Sequence, residues 1–135
     1  MKFVPALTLS LLLAALLPTP TLRAELPPSA YEEMQRDAPE VLRLNILTVT
    51  RTPSSDAESI DLLAEVIKVG RTENNLAVGD MITVHYELKN HPAGWVGPGP
   101  VSVPEETEET VAYLKLSDNG TDYAPAAGMM TFRLF

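Results

Sequence analysis

The chain has 135 residues, enough for one domain and too few for two. It contains no cysteine, which excludes disulfides, a thiol nucleophile, a cysteine zinc site and an iron–sulfur cluster. Its formal charge of −8 at pH 7 repels phosphate backbones and anionic headgroups, so we expect neither nucleic-acid nor membrane-surface binding.

Residues 1–24 have the pattern of a secretory signal peptide. A positive start at Lys2 is followed by an apolar run of 12 residues from Ala6 to Leu17, and then by a polar segment that ends at Ala24. Such a run is too short for a hydrocarbon core of roughly 30 Å, although an uncleaved anchor remains the alternative. Cleavage after Ala24 removes two basic residues and no acid, which leaves a formal charge of −10. We expect an exported protein, periplasmic or extracellular, without a membrane span after cleavage.

Residues 25–40 form a polar lead-in with room for one short helix. Ser29 is a candidate cap for a helix over residues 30–36, with Glu32 as its capping-box partner.

Residues 41–135 predict an all-β domain of five strands, two of them with likely bends. Over residues 40–52, a period of two places Leu42, Leu44 and Ile46 on one face. In the second strand, residues 60–72, the alternation slips near Val66-Ile67 and Gly70 follows, which predicts a bulge or a strong bend.

The third strand, residues 81–88, has the cleanest alternation and directs Ile82, Val84, Tyr86 and Leu88 toward a core. Two more strands are predicted over residues 110–116 and 129–135, with a hairpin turn at Ser117 to Gly120 between them. Tyr113 is also expected in the core. Since bent strands allow a small sheet to close, we predict a five-stranded Greek-key barrel of the OB type, with a small sandwich as the second choice.

The order of core and turn residues resembles the netrin-like module. The matching pattern is Ala64-x-Val66-x-x-Val69, Leu76-x-x-Gly79-Asp80-x-Ile82-x-Val84-x-Tyr86 and Ala112-Tyr113-Leu114. The resemblance covers residues 41–135 and implies a secreted OB barrel of a type that generally binds other proteins. The tissue inhibitors of metalloproteinases belong to this family and chelate zinc through an N-terminal cysteine. This chain has no cysteine, so their mechanism does not carry over.

The candidate binding surface lies between the third and fourth strands. Residues 90–104 are rich in proline and glycine, and four glutamates follow within residues 105–109. Trp95 serves there either as an interface anchor or as a packing plug beneath the loop. We expect a protein partner to contact a surface formed by His91, Trp95, Val96, Glu105 and Glu106.

Two other functions remain open, namely an envelope protein that binds a metal ion or a small ligand, and a protease inhibitor. His85 and His91 are the only histidines and, with Met81 or Met129-Met130, could hold a soft metal ion, although their spacing matches no ligand motif. Alternatively, the 92–104 loop inserts into a protease cleft as an inhibitor.

Two sequence patterns that could indicate an enzyme or a calcium-binding protein have simpler explanations. The glutamates of residues 105–109 could supply an acid pair for glycoside hydrolysis, but such a run is usually a solvated edge. Asp118 to Asp122 contains oxygen ligands without an EF-hand register, and a hairpin turn explains it. We therefore predict a protein that is not an enzyme and needs no cofactor.

Overall fold

A computed structural model describes residues 26–91, 93–94 and 97–134. Within these ranges the chain forms one α-helix, six strands and a 3₁₀ turn. Their bounds are α1 Pro28–Asp37, β1 Glu40–Pro53, β2 Ala57–Arg71, β3 Met81–Lys89, β4 Glu109–Leu116, β5 Tyr123–Pro125, the 3₁₀ turn Gly128–Met130 and β6 Phe132–Leu134. No helix among the described residues has both the length and the apolar character needed to span a membrane.

Five strands close into a mixed barrel. β1, β2 and β3 form an antiparallel meander, and β4 crosses over to pair with the free edge of β1. This spatial order, β4-β1-β2-β3, is a Greek key. β5 then fills the remaining gap, parallel to β3 and antiparallel to β4. The prediction of a small five-stranded all-β barrel with a short N-terminal helix is confirmed.

Alternate side chains of the long strands fill the barrel. The buried cluster consists of Leu42, Leu44, Ile46, Ile60, Leu62, Ala64, Val66, Ile82, Val84, Tyr86, Ala112, Leu114, Tyr123 and Phe132. The inward faces predicted for the first and third strands are confirmed, with Leu88 half-buried against the cluster. The prediction for Tyr113 is wrong, because Ala112 and Leu114 occupy the inward register of β4 and leave Tyr113 half-buried on the outer side.

Bulges bend the β1–β2 pair, as the broken alternation predicts. Ile67 and Gly70 of β2 have no counterpart in the register with β1. A Cβ at position 70 would lie 3.1 Å from the Val41 carbonyl oxygen, a tight contact that favours glycine at this close approach. A third irregularity leaves Leu47 of β1 unmatched, between the pairs Ile46–Ala64 and Thr48–Leu63.

The C-terminal region departs from the prediction of one strand over residues 129–135. β5 lies earlier, at Tyr123–Pro125, and β6 at Phe132–Leu134 pairs with residues 110–112 of β4. Since β1 occupies the other edge of β4 there, β5 and β6 lie on one edge of β4, with the 3₁₀ turn between them. Three-residue strands are too short to show a period, which explains the error.

The helix forms without the predicted cap. Pro27 is the N-cap residue and Ser29 lies inside α1, so the Ser29 cap is wrong. Tyr31 is the buried residue of the helix, and Glu40, just after it, is fully buried at the start of β1. Glu40 Oε1 accepts hydrogen bonds from the backbone N–H groups of Glu73 and Asn74 and from Asn74 Nδ2, at 2.6 to 3.1 Å. These bonds fix the β2–β3 connection against β1.

Candidate binding surface at the mouth of the barrel

An extended strap, residues 97–104, crosses one end of the barrel. Its side chains alternate, so that Val101 and Val103 pack against the core while Pro98, Pro100 and Ser102 are exposed. The strap lies close to the Tyr86 end of β3, whose free edge pairs with β5 only at Val84. It therefore covers apolar surface in a place where no regular strand pairs with β3.

Tyr86 fastens the strap to the barrel. Its hydroxyl donates a hydrogen bond of 2.8 Å to the Ser102 carbonyl, and its ring lies 6.0 Å from the ring of Phe132. Burial raises the pKa of the Tyr86 phenol, an effect that the nearby Arg51 charge only partly opposes. The phenol therefore stays protonated and remains a donor well above neutral pH.

The acidic tract, residues 105–109, is held in place by β1. Ile46 donates its N–H to the Glu108 carbonyl at 2.9 Å, and Thr107 donates its N–H to the Ile46 carbonyl at 2.7 Å. Glu105 donates its N–H to the Glu108 carboxylate at 2.8 Å, and Thr107 adopts a positive φ of 65°. This tight loop leaves the side chains of Glu105 and Glu106 exposed beside β1.

The backbone of β1 separates from the acidic tract beyond Ile46. The Val49 N–H points toward the tract and donates a hydrogen bond of 3.1 Å to Glu106 Oε1. Between the two segments lies a groove of about 420 Å³, which is lined by Val49, Arg51, Val103, Pro104, Glu105 and Glu106. The Arg51 guanidinium pairs with Glu58 at 2.6 Å, so its charge is compensated within the same hairpin. We call this groove and the strap beside it the mouth of the barrel. The mouth combines apolar side chains, the backbone of β1 and two carboxylates that form no ion pair with any described residue.

The structure brings together part of the predicted binding surface. Glu105 and Glu106 lie at the groove, and His91 is exposed two residues after the end of β3. Trp95 and Val96 lie outside the described residues. Val49, Arg51 and Tyr86 were not predicted as site residues. A sequence signal could have indicated Arg51. Exposed strand edges commonly carry charged residues and proline, and the predicted first strand has Arg51 near its end and is followed by Pro53.

The metal-site candidates lie in different settings. His85 is on the outer face of β3, where its Nδ1 lies 2.8 Å from Asp61 Oδ1 of β2, directly across the pair. His91 follows the end of the strand. No group of three or more histidine or acidic side chains within the described residues could hold a metal ion.

The segment Asp118 to Asp122 forms the predicted turn between two strands. Gly120, with a φ of 75°, donates its N–H to the Ser117 carbonyl, while Asn119 Oδ1 accepts from the N–H groups of Thr121 and Asp122 at 3.0 Å. Asp122 Oδ2 accepts a hydrogen bond from Asn119 Nδ2 at 3.1 Å. The oxygen atoms that suggested a calcium loop thus organise the β4–β5 hairpin.

Comparison with protein-family models, curated proteins and solved structures finds no match to this chain.

Proposed function

We propose that this protein is an exported, non-enzymatic binding module that recognises another protein through the mouth of its barrel. The contact surface consists of the 90–104 loop, including Trp95 and Val96, and the exposed carboxylates of Glu105 and Glu106. The groove beside β1 is the observation that carries this proposal, because it places exposed backbone, apolar side chains and charge together on a fixed frame.

The netrin-like resemblance supports the same function. The Greek-key barrel is the architecture that the resemblance implies, and the barrel is of a type that generally binds other proteins. Membership of the chain in that family is part of the proposal.

Export is the second part of the proposal, and processing tests it directly. The full chain, expressed in a host with a secretory pathway, should be recovered outside the cytoplasm with Glu25 as its first residue. Intact mass and N-terminal sequencing report this. A membrane-bound product that retains Met1 would contradict the signal peptide and support an anchor.

Protein binding is tested by affinity capture with the exported protein as bait in extracts of its own cell envelope or secretions. Two variants accompany the wild type, Trp95→Ala and the double change Glu105→Gln with Glu106→Gln. The matched control is Glu32→Gln with Glu33→Gln, which makes the same charge change on exposed positions of α1. A partner retained by wild type and control but lost with both mouth variants is expected. Retention of the same proteins by all four baits would contradict the proposal.

A further inference from the structure

We propose that the mouth of the barrel takes an extended, basic segment of a partner protein, which pairs as an added strand with the outer edge of β1. This inference rests on the proposed function and names the partner chemistry for the same site. Strand addition obtains affinity from main-chain hydrogen bonds and specificity from alternate side chains.

The register of β1 shows which backbone groups are free. Residues on one strand of an antiparallel pair alternate between those that bond to the partner and those that point away from it. The Ser54 N–H bonds to the Ala57 carbonyl, so counting back from the turn assigns Thr52, Thr50 and Thr48 to the bonded set with β2. The Val49 N–H bonds to Glu106 on the opposite side, as this count requires.

Arg51 therefore turns its N–H and carbonyl away from β2, toward the groove. β4 pairs with residues 40–45 of β1 and does not reach Arg51, so by this count neither neighbouring strand offers the Arg51 N–H an acceptor. The Val49 carbonyl points the same way. Pro53 has no N–H, so it limits the edge at the hairpin end. The accessible edge is thus short and centred on Arg51.

The side chains around this edge suit a chain in extended conformation. Val49 and Val103, both half-buried, form an apolar strip on one side of the groove. Because successive side chains of a strand point to opposite faces, every second residue of an added segment would cover this strip. The intervening residues would face the solvent.

Charge decides the occupant. Glu105 and Glu106 line the groove, and Arg51, the one cation among the described residues that line it, is already paired with Glu58. A second copy of this chain would bring the same carboxylates to the same edge, and both copies carry a strongly negative formal charge. A segment with lysine or arginine at alternate positions meets the opposite charge instead.

The test uses synthetic peptides and the intact purified protein. The probe is Lys-Val-Lys-Val-Lys-Val-Lys with blocked ends, and its acidic counterpart has glutamate in place of lysine. Titration is followed by the backbone amide NMR signals and by calorimetry. We expect the basic peptide to shift the Arg51 amide signal and to slow its exchange with solvent, and we expect no binding of the acidic peptide.

Two sets of variants separate strand addition from simple charge attraction. Arg51→Pro removes the edge donor, whereas Arg51→Ala removes the same charge and keeps the donor. Arg51→Pro should weaken binding by about tenfold more than Arg51→Ala does. The melting temperature of Arg51→Pro verifies that it folds.

Peptides with N-methyl groups on either all valines or all lysines provide a test that needs no protein variant. An added strand uses only one of its edges, so one methylated peptide should bind and the other should not.

Equal binding of both methylated peptides, equal binding by Arg51→Pro and Arg51→Ala, or failure of the basic peptide to bind overturns the proposal. So does a dimer in sedimentation that Arg51→Pro disrupts, because a second copy would then be the occupant. A partner captured through Trp95 without peptide binding overturns strand addition alone, whereas peptide binding with no captured partner overturns the protein-binding function.

Discussion

The two halves of β1 differ in how many of their edges are paired. The inner half, Glu40 to Ile46, directs Leu42, Leu44 and Ile46 into the core and lies between β2 and β4. The outer half, Leu47 to Pro53, pairs along β2 alone and is largely exposed. Leu47, which has no counterpart on β2, separates the two halves. The backbone groups that point away from β2 belong to even-numbered residues up to Ile46 and to odd-numbered residues from Val49 onward. Pairing on both edges stabilises the barrel, and pairing on one edge leaves backbone available for recognition.

The largest contrast is expected between two identical substitutions on either side of this boundary. Leu44 is fully buried, so Leu44→Ala should lower the free energy of unfolding by about 3 kcal/mol through lost burial and a cavity. Leu47 is 37% exposed, and Leu47→Ala should cost about 1 kcal/mol or less. Urea denaturation of both proteins measures the difference. Equal losses would show that the outer half is packed as tightly as the inner half.

Glu40 tests the anchoring of the inner half at its first residue. Glu40→Ala leaves the N–H groups of Glu73 and Asn74 and the Asn74 amide without their acceptor, at an expected cost of about 2 kcal/mol. Glu40→Gln retains one side-chain oxygen and should cost less. If Glu40→Gln and Glu40→Ala were equally unstable, the negative charge rather than these three bonds would be the stabilising feature.

Tyr86→Phe tests the strap, whose Val103 and Pro104 line the groove beside the outer half. It keeps the ring beside Phe132 and removes the bond to the Ser102 carbonyl, so we expect a loss of roughly 1 kcal/mol and faster amide exchange in residues 99–103. Tyr113→Phe, on the half-buried outer side of β4, is the control. Unchanged exchange in the strap would mean that Val101 and Val103 hold it without Tyr86.

The raised pKa of Tyr86 predicts a pH dependence of the same contact. The phenol ionises near pH 10 in the unfolded chain but only at higher pH in the folded protein, where burial disfavours the charge. The contribution of this raised pKa to the free energy of unfolding is therefore complete below pH 10 and is lost as the pH rises above that value. Melting curves between pH 9 and pH 11 should show a steeper decline for wild type than for Tyr86→Phe. Parallel declines would contradict this assignment.

The smallest effect on stability is expected at the edge itself. The Arg51–Glu58 pair is partly exposed, with the Arg51 side chain 52% and the Glu58 side chain 30% accessible, so Arg51→Ala should change the free energy of unfolding by about 0.5 kcal/mol. Denaturation at low and high salt measures it. A loss as large as that of Leu44→Ala would show that Arg51 belongs to the fold rather than to the binding surface.

Sequence patterns predicted the elements whose side chains alternate over many residues. The inward set of β1, the face of β3 and the bulges near Ile67 and Gly70 all followed from a period of two and its interruption. β5 was missed because Tyr123–Pro125 holds its place through pairing with β3 and β4 rather than through a pattern of its own.

The candidate binding surface was only partly predictable for a related reason. The glutamates at 105 and 106 were expected beside the loop, but the free edge at Arg51 depends on Leu47 being unmatched in the register with β2. That register is defined by the pairing of Ile46 with Ala64 and of Thr48 with Leu63, so residues 47–51 alone do not reveal it. The contributions of Trp95 and Val96 stay predictions, because these residues lie outside the described part of the chain.

Amide exchange along β1, followed by NMR, tests the central claim most directly. Every amide from Val41 to Ile46 should be protected, because both edges of the inner half are paired. In the outer half, Thr50 and Thr52 should be protected while Arg51 exchanges nearly as fast as an open chain. That alternation would establish a free edge at the mouth of the barrel. Uniform protection from Val41 to Thr52 would show that the edge is closed, and would contradict the account.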